Sequence, residues 1–361
     1  MNKIKEKLAS WGEKIEHSAR AKKIIVSCFC IVLLVFAYCV INYGELIAVY
    51  NLQSKVSHQT EDMEIAMGGE VVGIKLLATG VLVMGLDRQD TNLEVGDIIL
   101  KVDSQKIETN IELSNLAKDS QGRELELTIS RQGKEFTSKV APILDSITNE
   151  YKMGIWGKDS SAGVGTITFY DKKTGKFAAL GHGVTETREN YILPITVGGI
   201  TKTTIYSIKK GISKIPGELK GTISNETIGD IVWNTDKGIY GVLMNNSLYQ
   251  DKKTMKIMPK SKIKEGRASI YCTLDDNQVK EYEIEIEKVL LTSSGNKNMI
   301  IRVTDEELIE KTGGIIQGMS GSPIVQDGKL VGAVTHVFLN DPTRGYGVFV
   351  ENMIEDMSSI E

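Results

Sequence analysis

The sequence predicts a mainly β chain with one N-terminal apolar helix and two folded domains. Three observations predict it. Short alternating apolar segments recur at regular spacing between glycine turns. Glycine is plentiful at 35 residues while proline is held to 6, which suits tight turns better than an extended linker. One run, residues 24–41, carries no charge, glycine or proline. With 361 residues, 41% hydrophobic and 25% charged, the composition excludes wholesale disorder and a polytopic membrane protein. The net charge of −4 leaves no basic footprint for nucleic acid, so none is expected as a partner.

Residues 1–23 hold seven basic and three acidic side chains, a balance of +4 that leaves −8 to the rest. The run 24–41 approaches the length that crosses a bilayer, and Lys22 and Lys23 abut its start. The positive-inside rule therefore predicts a cytoplasmic tail at 1–23, an uncleaved transmembrane anchor at 24–41 and everything beyond outside. A cleaved signal peptide fits less well, because Cys39-Val40-Ile41 offers no small-residue cleavage site. Three of the four cysteines (Cys28, Cys30 and Cys39) lie in the anchor, so the exported body, with Cys272 alone, has no internal disulfide to rely on. The polar, irregular stretch 42–67 reads as a juxtamembrane stalk.

Residues 68–145 read as strand, strand, strand, helix, strand, hairpin. Val71 to Leu76 and Gly80 to Gly85 alternate as strands, and Asn110 is placed to cap a helix over Ile111–Lys118 with Leu113 and Leu116 on one face. Gln132-Gly133 marks a hairpin turn. Val95-Gly96-Asp97-Ile98-Ile99 with Val102-Asp103, followed by Glu124 to Arg131, resembles a PDZ domain; Asp103-Ser104 stands where Asn-Gly is usual. The resemblance implies a groove that takes a peptide C-terminus, or a segment of the chain itself, by strand addition. Its carboxylate loop would be Val71, Val72, Gly73 and Ile74, and its wall Ile111 to Leu116.

Residues 150–361 change to many short strands, which argues for a sandwich or a barrel pair. Two motifs carry chemistry. In Gly318-Met319-Ser320-Gly321-Ser322-Pro323, a serine sits on a glycine turn where the amides of Gly318 and Ser320 can converge as an oxyanion hole. In Ala179-Leu180-Gly181-His182-Gly183, a histidine between glycines can approach another loop. A serine nucleophile needs a base. The four histidines leave few choices: His17 falls in the tail, His58 in the stalk, and His336 mid-strand as a core or wall residue. His182 remains. So few histidines also argue against a multi-histidine metal site, and hydrolysis by this pair needs no metal or organic cofactor. Asp230, Asp236, Asp275, Asp276 and Asp305 are all open as the acid. Thr304-Asp305-Glu306-Glu307 also reads as a capping box that puts Asp305 in a first helical turn, with Gly313-Gly314 ending the helix.

Histidine before serine is the chain order of chymotrypsin-like double β-barrel serine proteases, whose serine loop Gly318 to Pro323 resembles. The wider pattern is similar to the SpoIVB serine peptidase family of endospore formers. It comprises the anchor, the PDZ-like segment, Leu180-Gly181-His182-Gly183, Pro216-Gly217-Glu218-Leu219, Gly313 to Pro323 and Val334-Thr335-His336-Val337-Phe338-Leu339-Asn340-Asp341-Pro342. The resemblance implies Asp305 as the acid that completes a triad with His182 and Ser320; Asp230 stays open as the alternative. It also implies self-cleavage near the N-terminus and residence in the space between the two membranes around the forespore. The implied substrate is a membrane-bound inhibitor of an intramembrane metalloprotease, whose cleavage releases processing of a sigma-factor precursor. Two rival readings are a non-catalytic PDZ scaffold and a general envelope quality-control protease.

Overall fold

The computed structural model describes residues 64–186 and 191–359. The expected tail and anchor, and most of the stalk, lie outside the described residues. Among the described residues no helix is long and apolar enough to cross a membrane. The last four residues of the expected stalk are instead a strand. Glu64–Met67 forms a strand, β1, that pairs on both edges, because Ile65 and Ala66 are fully buried apolar side chains.

The next strand, β2 (Val71–Leu86), has 16 residues and two lives. A register break between Leu77 and Leu82 divides it. Gly80 sits at the break with φ +92, and a side chain there would meet the Ile99 carbonyl at 2.4 Å. Beyond the break, Val81 and Leu82 pair with β3 (Ile98–Val102) and open a small unit. The unit continues through β4 (Gln105–Lys106), helix α1 (Asn110–Asp119), β5 (Leu125–Arg131), β6 (Lys134–Val140) and the hairpin of β7 (Ile143–Asp145) with β8 (Glu150–Lys152). Its core is Val81, Ile99, Leu113, Leu125, Leu127 and Ile129. Thr109, one residue earlier than expected, caps α1 in a full capping box with Glu112. The turn Asp103-Ser104 has positive φ at both residues (46° and 67°), the twist a two-residue hairpin demands. Asp103 holds it by accepting from the Glu126 amide (2.9 Å) and from Arg123 (2.8 Å), which lowers its carboxyl below the usual range.

The chain leaves this unit along β9 (Ile155–Tyr170), again 16 residues. β9 pairs antiparallel with β2 twice, through Ile155–Lys158 in the small unit and through Ser160–Thr166 beyond it. The small unit is therefore an insertion in a barrel, not a domain ahead of one. This revises the expected boundaries at 68–145 and 150–361, since β1 and the first half of β2 belong with the strands that follow. Those strands are β10 (Lys176–Ala179), the small pair β11 (Thr185–Glu186) and β12 (Tyr191–Ile192), β13 (Ile195–Lys209), β14 (Glu218–Thr235), β15 (Gly238–Leu243) and β16 (Thr254–Lys256). The ring β2-β9-β10-β15-β14-β13 closes back on β2.

A second closed barrel runs β17 (Gly266–Thr273), β18 (Val279–Val289), β19 (Met299–Val303), β22 (Asp341–Phe349), β21 (Lys329–Phe338) and β20 (Pro323–Gln326). Both rings join their six strands in the same order. Helix α2 (Glu306–Thr312) follows β19, and α3 (Val350–Ser358) lays Val350, Met353, Ile354 and Met357 into a core shared by the two barrels.

Candidate active site

The serine loop runs from the end of α2 to β20. Gly313 ends α2 in the left-handed conformation (φ 76), as the sequence predicts. Gln317 is then tied to the start of β14: the Leu219 amide donates to its carbonyl (2.9 Å), and its own amide donates to Gly217 (3.0 Å). The turn residues are held by β9. Thr166 donates from its amide to the Ser320 carbonyl (2.9 Å) and from Oγ1 to the Gly318 carbonyl (2.7 Å). Thr168 Oγ1 donates to the Gly321 carbonyl (2.8 Å). Sequence reasoning missed both threonines. Their signal was alternation in Thr166-Ile167-Thr168, which puts two hydroxyls on one face of the buried end of β9. With its carbonyls engaged, the loop leaves the amides of Gly318 and Ser320 without a protein acceptor among the described residues. Thr166→Val keeps the shape and strands the buried Gly318 carbonyl. It is expected to cost about 1–3 kcal/mol in denaturant unfolding.

The histidine loop leaves β10 through a tight reversal. Leu180 (φ 69) and Gly181 (φ 67) are both left-handed, which is uncommon for leucine. Burial of the Leu180 side chain offsets that cost. Asn234 secures the loop with three bonds: it accepts from the Val184 amide (2.8 Å) and donates to the carbonyls of Val184 (2.8 Å) and Leu193 (2.9 Å). His182 Nδ1 lies 2.8 Å from the Gly183 carbonyl. A carbonyl only accepts, so Nδ1 carries the proton and Nε2 keeps its lone pair. Burial lowers the His182 pKa below the ordinary imidazole value, against a smaller opposing effect of that carbonyl.

His182 and Ser320 line one cavity of about 760 Å³, together with Gly318, Gln317 and apolar side chains that include Val164, Leu180 and Leu219. The Ser320 hydroxyl donates to the Thr335 carbonyl (2.9 Å). The next residue, His336, packs its ring against His182 with centroids 4.8 Å apart. Read from the sequence as a core or wall residue, it is part of the site.

Asp305 is placed elsewhere. It is itself the N-cap of α2, one position before the expected first turn, and does not line the cavity. Both carboxylate oxygens accept from backbone amides, of Leu308 (2.9 Å) and Glu283 (3.2 Å). Asp230 lies exposed on β14.

Val71, Val72, Gly73 and Ile74 do not form an open carboxylate loop, which corrects the expected peptide site. All four pair with β9 on one edge, and Val72, Gly73 and Ile74 pair with β13 on the other, so the glycine has no free edge, and Ile74 lines the catalytic cavity. A groove of about 320 Å³ lies instead between Asn110, Leu113, Ser114 and Lys118 of α1 and the segment Glu150–Ile155. Gly154 turns there with φ +67, and the carbonyls of Met153 and Gly154 accept from Arg88 and the Asp87 amide. The string Met153-Gly154-Ile155 carries the sequence signal of this turn.

Burial pushes the His336 pKa down to about 4, with His182 and Lys297 adding to the shift. The unfolded chain then takes up a proton that the folded ring refuses. Stability is full above about pH 6.5, the ordinary value, and falls as the pH drops from there towards 4. Thermal melts between pH 4 and 7 are expected to show this slope, and His336→Phe to flatten it.

A family model for the SpoIVB peptidase S55 family matches residues 149–354. The chain belongs to that family. This peptidase is accordingly a serine endopeptidase. Among solved structures it is similar to the PDZ domain of an SdrC-like protein from Listeria monocytogenes, at 19% identity over 22% of this chain and 87% of that one (TM-score 0.20). It is similar to the HtrA-type protease AlgW with a decapeptide, at 11% identity over 81% of this chain and 64% of that one (TM-score 0.35). A third is the inactive form of the Rv3671c protease from M. tuberculosis, at 10% identity over 55% of this chain and 84% of that one (TM-score 0.32).

Proposed function

We propose that this peptidase signals during sporulation as a membrane-anchored enzyme, with its N-terminus cytoplasmic and its barrels in the forespore intermembrane space. Its substrate in this reading is a membrane-bound protein inhibitor of an intramembrane metalloprotease, and cutting it releases processing of a sigma-factor precursor. Family membership over 149–354 supports the signalling role. The observation that carries the chemistry is the one cavity lined by Ser320, His182 and Gly318.

The steps follow from those groups. The Ser320 hydroxyl turns from the Thr335 carbonyl to Nε2 of His182 and gives up its proton as Oγ attacks the peptide carbonyl. The amides of Gly318 and Ser320 receive the oxyanion. His182 passes the proton to the leaving amine, and the acyl-enzyme forms. Water, deprotonated by His182, then releases the acid and restores the serine. The groove between α1 and Glu150–Ile155 takes the peptide partner, its carboxylate on the amides of Met153 and Gly154.

Self-cleavage tests this reading. The purified wild-type chain is expected to shorten near its N-terminus and the Ser320→Ala chain to stay whole. A scaffold without catalysis predicts that both behave alike.

A further inference from the structure

A serine–histidine site works best when a third group orients the base and stabilises the imidazolium. Here that third group is missing in its usual form. His182 donates through Nδ1 to the Gly183 carbonyl, which fixes the tautomer but brings no charge. Among the described residues no carboxylate pairs with His182. Asp305 has both oxygens on amides at the cap of α2. On the β14–β15 turn, the Asp236 carboxylate lies by Gly295, and Lys237 pairs with Asp356 (2.9 Å).

What does touch the base is His336. Its ring lies against that of His182 at 4.8 Å, tilted by 39°. Its Nδ1 is buried and has no hydrogen-bond partner among the described residues. Orphaned buried nitrogens are rare, because each forfeits its bond to water. Its backbone neighbour Thr335 meanwhile receives the Ser320 hydroxyl, so β21 reaches both halves of the site.

We propose that His336 is a positioning residue for His182. It is a neutral imidazole packed on the base that steadies the imidazolium formed when His182 takes the Ser320 proton. This rests on the reading of Ser320 and His182 given above. Burial first, and then the neighbouring His182 and Lys297, disfavour a charge on His336. With its buried, unpartnered nitrogen the neutral ring is a polar neighbour for a forming cation, whereas a second cation would oppose it.

The test is the rate at which a fluorophosphonate labels Ser320 in the full chain, followed from pH 4 to 8. His336→Phe is expected to label at least about tenfold more slowly at pH 7, with the midpoint of its acid limb at lower pH, because the His182 cation has lost support. His336→Gln, which keeps an acceptor, is expected to recover most of the rate and the midpoint. If His336→Phe melts below the assay temperature, His336→Leu carries the same comparison. A slower rate with an unmoved midpoint would mean a merely structural role and overturn the proposal. So would a wild-type profile for His336→Phe together with a loss in Asp305→Asn, which would return the acid's task to Asp305. A wild-type chain that labels nowhere would instead sink the reading of Ser320 itself, and this proposal with it.

Discussion

Ser320→Ala is expected to keep the fold and lose at least about 10⁴-fold in peptide hydrolysis. The hydroxyl makes one hydrogen bond, to the Thr335 carbonyl, so its removal is expected to cost only about 1 kcal/mol of stability. The loop itself is held by the carbonyls of Gly318, Ser320 and Gly321, which the substitution leaves in place. His182→Ala is expected to lose a similar factor, and the double variant little more than either, because nucleophile and base act as a unit. Steady-state hydrolysis of an unfolded protein probe, with melts alongside, reads both effects.

Gly321→Ala is expected to have the largest structural effect. Gly321 has φ +96, and a Cβ there would stand 2.0 Å from the Thr166 carbonyl and 2.5 Å from the Leu180 amide nitrogen. Neither neighbour can move freely. Thr166 holds the serine loop through its amide and hydroxyl, and Leu180 begins the histidine loop. The substitution is expected to cost more than about 4 kcal/mol, or to prevent folding. Gly328→Ala is the control: φ is +72 there and nothing lies within 4 Å, so only the backbone penalty of about 1–2 kcal/mol remains. Comparing their denaturant midpoints separates backbone strain from collision.

Features with local causes were legible in the sequence. Gln132-Gly133 takes positive φ at both residues, and Gly313 ends α2, because turns and caps depend on a few adjacent residues. The serine and histidine motifs were legible for the same reason, each being a glycine-framed loop. Pairings between distant segments were not. Val72-Gly73-Ile74 and Met153-Gly154-Ile155 look alike as short strings. What separates them is that the first is paired on both edges, by β9 and β13, a fact fixed some 90 to 130 residues downstream. The insertion of the small unit escaped notice because β2 and β9 each look like two short strands until their common pairing joins them. His336 was set aside because an alternating strand says which face a residue is on, not that a histidine waits across it. Asp305 shows how one residue can answer two readings, since a carboxylate at a helix start is expected whether or not chemistry needs it.

The central claim is that Ser320, activated by His182, is the nucleophile. Intact-mass analysis after fluorophosphonate treatment, with the adduct mapped by peptide sequencing, tests it most directly. The expected result is one adduct, on Ser320, absent from Ser320→Ala and strongly slowed in His182→Ala. An unlabelled wild-type chain that is folded and monodisperse, or an adduct on another serine, would contradict it.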